Sequence, residues 1–307
     1  MFAYPTAPGR GAGPWLVSAL LRAVVVVLGA GFAIASSGVA LAQTSQPLTV
    51  SFPSADNSTS LTGYLFAPAG RPKVAPAVVL LHGFGGAYLP AARGTYNSVM
   101  LSRSLRAWAE LWAAQGYWAL VVDSFKPRGL PAGISSGATT PKPGSPGDSA
   151  VRALDAYGAL RYLRASPRVR ADRIALEGWT NGGSAVLASM SRETLAAAGL
   201  DRSHGFRAAI AMFPDCSPEA AARPAYAPYA PTHIFTATEG HDIGSACQKL
   251  AANTRPLSGE LAVTILEVGV HGFDYPGTSR STTAGTESAA NQVRRQSLAL
   301  FAATIGR

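Results

Sequence analysis

Arg173 to Met190 reads RIALEGWTNGGSAVLASM, and it restricts the fold more than any other stretch. Ile174 to Glu177 has the character of a short buried strand. Gly178, Gly182 and Gly183 then allow a turn too tight for most residues, because glycine alone brings no Cβ to it. The residues after Gly182 favour helix, which the pattern carries to about Ala198. A strand that turns at once into a helix sends the chain back across a sheet. Repeated along a sequence, that unit gives parallel strands joined by right-handed crossovers.

The rest of the sequence repeats it. Leu48–Phe52 and Leu61–Phe66 are expected strands, the second antiparallel at a sheet edge and closed by Pro68. Ala77–Leu81 (AVVLL) and Trp118–Val122 are continuous apolar runs, the pattern of strands buried on both faces. Between them, Leu101, Leu105, Trp108 and Leu111 recur at helical spacing and predict a helix over Ser98–Gln115, stopped by Gly116. Residues 126–147 form a long Pro/Gly/Ser connection, of the kind that borders binding sites. Asp148 caps a helix to about Ala165. Further strands are expected at Phe206–Phe213, Thr232–Ala237 and Leu261–Val268, with a short helix through Cys247 and Leu250 and a C-terminal helix within Thr283–Thr304. No repeat and no composition break follows residue 43. The expected fold class is α/β, a mostly parallel central sheet with helices on both faces, in a single domain over 43–307.

Residues 1–42 read differently. Arg10 and Arg22 precede the apolar stretch Ala23–Ala35, and Ala40-x-Ala42 is the small-residue pattern a signal peptidase accepts. The expectation is a signal peptide cleaved after Ala42 and an exported, periplasmic or secreted protein with no stable membrane association afterwards. The alternative is an uncleaved anchor over Ala23–Ala42, which is about long enough to span a bilayer. The two cysteines, Cys216 and Cys247, form an even count, which in an exported chain points to a disulfide; two unpaired core residues are the alternative. Neither lies in a C-x-x-C, so thioredoxin-like and zinc readings lack support, and no metal site is expected. The net charge of +9 is scattered, without Lys/Arg runs or interleaved aromatics, which argues against a nucleic-acid partner.

Ligands of such a sheet bind beyond the carboxyl ends of the strands. Five strand exits carry chemistry: His82-Gly83, Asp123-Ser124, Thr180, Asp242 and His271. Gly178-Trp179-Thr180-Asn181-Gly182 has the G-x-S-x-G form with threonine at its centre, and nucleophile, acid, histidine is the chain order followed by Thr180, Asp242 and His271. The segments VVLLHGFGG (78–86), VVDSFKPRG (121–129), ALEGWTNGGSAV (175–186), HDIGSACQKL (241–250) and VGVHGFD (268–274) together resemble the dienelactone hydrolase family of α/β-hydrolases. The resemblance runs from about residue 60 to the C-terminus. It implies the α/β-hydrolase fold and hydrolysis of a small ester or lactone without a cofactor. It also implies a nucleophilic side chain at 180, His271 as general base, and Asp242 orienting it, with Glu239 as a competing acid. Backbone N–H groups of Phe84 and Asn181 would form the oxyanion hole, and His82 would tie down the oxyanion loop. The family pattern also has cysteines comparable to Cys216 and Cys247.

Other polar residues have blander readings. Trp179 and Ser124 are candidates for the substrate-binding wall. Asp123 either lines the pocket or holds its loop through Arg128. His204 and His233 have no motif around them, and His241 reads as a loop residue beside Asp242.

The family carries serine or cysteine where this chain has Thr180. An elbow residue sits at positive φ, where a β-branched side chain is an outlier strained by about 1–3 kcal/mol. The extra methyl also restricts χ1. Three readings stay open on sequence: a hydrolase acting through Thr180, a ligand-binding protein on the same fold, or another nucleophile such as Ser124 or Ser184. The oligomeric state is not readable.

Overall fold

The computed structural model describes residues 46–134, 141–222, 225–237, 241–254, 261–266 and 284–306. The expected signal segment, residues 1–42, lies outside them.

Eight strands form one sheet: β1 (Leu48–Pro53), β2 (Ser60–Phe66), β3 (Ala75–Leu81), β4 (Trp118–Asp123), β5 (Val169–Trp179), β6 (Ala209–Met212), β7 (Thr232–Ala237) and β8 (Leu261–Leu266). Their spatial order is β1-β2-β4-β3-β5-β6-β7-β8. β2 pairs antiparallel with both β1 and β4, and every other pairing from β4 to β8 is parallel. β2 is therefore antiparallel, as its pattern predicts, but not at the edge. The edge is β1, whose outer residue Leu48 is 59% exposed.

Alternation along the central strands sorts the core onto two faces. Val79 and Leu81 of β3 join one cluster, with Tyr157 and Leu160 of α2 (Ser149–Arg164), Val186 of α3 (Asn181–Met190) and Leu250 of α6 (His241–Thr254). Val78 and Leu80 join the other, with Trp108 and Trp112 of α1 (Arg103–Ala114) and Val293 and Phe301 of α7 (Ala284–Thr304). Both faces of the sheet are thus covered by helix, which is why the central strands read as unbroken apolar runs.

Two expected helices are shorter than their periodicity. The helix predicted over Ser98–Gln115 starts at Arg103. Asn97 caps a separate 3₁₀ turn at Ser98–Met100, and Ser102 Oγ accepts the Leu105 N–H to begin α1. The extended Leu101 between them bridges to Tyr88. The helix predicted to Ala198 breaks at Ser191, which is extended and caps α4 (Arg192–Ala197) through its hydroxyl. In both cases a serine side chain competes with the helical backbone and wins an N-cap.

Candidate active site

β3 lies between β4 and β5, so the chain leaves it for one side and later returns on the other. The crevice of such a sheet opens at this reversal. Leu81 pairs with Gly178, so His82-Gly83 and Trp179-Thr180 leave the sheet side by side.

At the end of β5 the chain makes the expected strained turn. Thr180 has φ +49° and ψ −113°, outside the regions open to a β-branched residue. It occupies the N-cap position of α3, yet its hydroxyl makes no cap bond. The turn instead directs Oγ1 at Gly83: a Cβ on Gly83 would overlap it. The Thr180 backbone N–H donates to Met212 O of β6 at 2.7 Å, fixing the turn from the other flank.

The neighbouring glycines allow the tight turn that their pattern suggests. A Cβ on Gly182 would overlap the carbonyl oxygens of Leu81 and His82; one on Gly178 would strike Gly182 O, and one on Gly183 Met212 O. They let the chain approach itself at the elbow. Of the described glycines at these two strand exits, Gly85 alone has nothing within 4 Å of a built Cβ.

The loop that leaves β3 is held by His82, which is fully buried. Its Nε2 accepts the Ser124 N–H at 3.2 Å, so Nδ1 carries the proton and donates to Gly83 O at 2.8 Å. Burial, and then the nearby Arg152 charge, hold its pKa well below the usual histidine value. A neutral ring with both nitrogens engaged fits a tether and leaves no lone pair for a base. Beyond it, Phe84 O accepts the Ile134 N–H at 2.8 Å, and Gly133, at φ +85°, packs on Phe84 and Gly85 where a Cβ would not fit. The long connection is thus anchored to this loop at its start. Its end is anchored at the elbow, where Asn181 Nδ2 donates to Gly147 O at 2.7 Å.

Two backbone N–H groups lie just past these two strand exits, those of Phe84 and Asn181. Asn181 is the first residue of α3, where an N–H has no intrahelical partner. Among the described residues, neither it nor the Phe84 N–H donates a hydrogen bond. Such free donors beside a helix N-terminus suit a developing oxyanion.

Behind them lies a residue that the sequence pattern did not single out. Arg152 of α2 is completely buried. Its Nη1 donates to His82 O at 2.7 Å and to Asn181 Oδ1 at 2.8 Å, and its guanidinium lies over the Phe125 ring, 5.1 Å from the centroid. Burial lowers its pKa to about 10, which still leaves it charged at neutral pH.

The remaining expected residues divide. Asp123 accepts from Tyr88 Oη at 2.7 Å and from the Phe125 and Lys126 N–H groups, while burial raises its pKa. Arg128 does not hold Asp123; it pairs bidentately with the buried Asp155, both contacts 2.8 Å. Ser124 is fully buried, and Trp179 is 2% exposed and packs against Trp108. Ser184 Oγ bonds Thr180 O and receives the Asp215 N–H, turned along the helix and away from the elbow mouth. His204 is an exposed residue bonded to Asp201, and His233 of β7 is bonded to Thr264 of β8 at 2.8 Å. Asp242 is the second residue of α6, just after β7. Glu239 and His271 lie outside the described residues.

Cys216 and Cys247 form a disulfide, with S–S 2.03 Å and both residues buried. It joins the exit of β6 to α6, the helix that begins beside Asp242. Among the described residues, no group of His, Cys, Asp and Glu could hold a metal ion, and no helix is long and apolar enough to cross a membrane.

No family model and no curated protein matches the chain. Solved structures do. A protein from Klebsiella pneumoniae assigned as a dienelactone hydrolase superposes with TM-score 0.59 at 12% identity, over 83% of this chain and 98% of that one. Thermogutta terrifontis esterase 2, in a form phosphorylated by paraoxon, gives 0.57 at 19% identity, over 83% and 95%. A structure designated m3DLH gives 0.57 at 20% identity, over 84% and 98%. The chain therefore has the α/β-hydrolase fold that these dienelactone hydrolases and esterases share.

Proposed function

We propose that this α/β-hydrolase-fold protein is an exported hydrolase of small carboxylic esters or lactones, with Thr180 as its nucleophile. The observation that carries the reading is the state of Thr180. Its hydroxyl is released from capping by the positive φ and turned toward the loop that bears the Phe84 N–H. A protein with no use for that hydroxyl gains nothing from holding a β-branched residue in a region that costs about 1–3 kcal/mol.

In this reading Thr180 Oγ1 attacks the substrate carbonyl carbon while the imidazole of His271 takes the hydroxyl proton. The carbonyl oxygen becomes an oxyanion held by the Phe84 and Asn181 N–H groups. His271 then gives the proton to the leaving alkoxide, and an acyl-threonine remains. Water attacks it, with His271 again accepting and returning a proton, and the free acid leaves. Asp242 orients the imidazole and stabilises its charged form. No cofactor is required. Export of residues 43–307 after cleavage at Ala42 accords with the disulfide, since such bonds persist in oxidising compartments.

Paraoxon, which phosphorylates the Thermogutta esterase, serves as the probe here. A diethylphosphoryl group mapped by mass spectrometry to Thr180, and absent from Thr180→Ala, is the expected result. Labelling at another side chain, such as Ser124 or Ser184, points to a different nucleophile, and no labelling with a bound ester that is never turned over points to the ligand-binding reading. Intact mass of the protein recovered outside the cytoplasm tests export; a chain starting at Gln43 is expected.

A further inference from the structure

We infer that Arg152 is a positioning residue that sets the oxyanion hole, by clamping the β3 exit loop to the start of the elbow helix. The inference rests on the hydrolase reading above. The two proposed oxyanion donors sit on separate chain segments, Phe84 two residues past His82 and Asn181 just past Thr180. Nothing covalent fixes the gap between them. One nitrogen of Arg152 bonds both segments, His82 O at 2.7 Å and Asn181 Oδ1 at 2.8 Å. Asn181 passes the restraint on to Gly147 through its Nδ2.

The cost of keeping Arg152 there argues that its charge matters. It is fully buried, and among the described residues its Nε and Nη2 have no hydrogen-bond partner and no carboxylate lies within ion-pair reach. Asp155, one turn along the same helix, is already taken bidentately by Arg128. A buried cation that no carboxylate touches, and on which Asp155 and Asp123 act only from beyond ion-pair range, is costly to keep, and a hydrocarbon side chain of similar size would normally serve stability better. Its compensation is a fixed positive charge behind the place where negative charge develops, which favours the transition state over the neutral ground state.

The test compares Arg152→Met, Arg152→Lys and Asn181→Ala with the parent full chain, in both the Thr180 and Thr180→Ser backgrounds, on a short p-nitrophenyl ester. Arg152→Met is expected to lower kcat about 100-fold, the size of losing one oxyanion donor, with KM within about twofold. Arg152→Lys, which keeps the charge but not the fork, recovers part of that loss. Amide hydrogen exchange over residues 82–86 and 181–184 rises in Arg152→Met. An unchanged kcat with only a lower melting temperature makes Arg152 merely structural and overturns the inference. If Arg152→Met does not fold, Asn181→Ala decides: it removes one clamp point, keeps the backbone donor, and must lower kcat without raising KM. If neither background hydrolyses ester, the hydrolase reading fails on its own, and exchange decides the clamp. Faster exchange in both segments upholds it, and unchanged exchange overturns it.

Discussion

The strand ends of β3 and β5 and those of β6 and β7 lie side by side, but different forces hold them. On the first side the chain meets itself backbone to backbone. Gly178 and Gly182 leave no room for a Cβ, and the buried Arg152 and His82 supply polar ties. On the second side one backbone bond, Phe213 N–H to Phe235 O at 2.7 Å, is supplemented by side chains and a covalent bond. Cys216–Cys247 joins the β6 exit to α6, and Tyr226 bonds Leu187 O at 3.0 Å. A site that must present a hydroxyl and two N–H groups at fixed positions gains from backbone contact, which has no rotamer freedom to lose. The side that supports it tolerates looser joints reinforced by a crosslink.

Substitutions sharpen that contrast, starting on the elbow side. Gly182→Ala places a Cβ on two carbonyl oxygens of the neighbouring loop. It should cost about 4 kcal/mol or more and yield little folded protein, whereas Gly85→Ala, facing open space, should stay within about 0.5 kcal/mol of the parent in urea unfolding. Equal effects would remove the backbone-contact argument. On the other side, replacing both cysteines by alanine should lower stability by about 3–4 kcal/mol, as expected for freeing a loop of this length. The melting curve should shift while the protein still folds at low temperature.

A third effect depends on pH. Burial lowers the His233 pKa to about 4. Between that value and the unfolded value near 6.5 the unfolded chain binds more protons, so this group's contribution is fully present above about 6.5 and is lost as pH falls toward 4. Glu219, raised to about 7 by burial and then by Asp215, works in the opposite direction. The difference between parent and His233→Phe isolates the histidine: the parent should lose about 2 kcal/mol more than the variant between pH 7 and pH 4. Parallel stability curves would contradict it. The smallest effect is that of Tyr226→Phe, which gives up one hydrogen bond to α3 and should cost about 1 kcal/mol, read as a shift in the urea midpoint.

Much of the fold was legible because apolar periodicity records burial. Thr232–Ala237 needed no adjustment, and the edge pair β1–β2 was visible in its alternation. The misjudged boundaries lie where side chains intervene. β5 begins at Val169, five residues before its apolar run, because Arg170, Asp172 and Arg173 are polar residues of a strand that extends past the core. β6 is shorter than its pattern. Phe206 is held by Tyr229 Oη on its N–H, and Phe213 turns to φ +52° at the other end.

The elbow was legible because glycine spacing and the threonine between them imply a strained turn, and the observed φ bears that out. Arg152 was not. On a helix, arginine three residues before Asp155 reads as an exposed ion pair. Only the Ala153, Ala156 and Ala159 around it, small residues that let a sheet approach, hinted that this face is buried.

The central claim is that the Thr180 hydroxyl does chemistry. Hydrolysis of p-nitrophenyl acetate by the parent protein, Thr180→Ala and Thr180→Ser tests it directly. The account predicts a parent rate clearly above Thr180→Ala, and a higher one for Thr180→Ser, where the strained methyl is gone. A parent rate no greater than that of Thr180→Ala would contradict it.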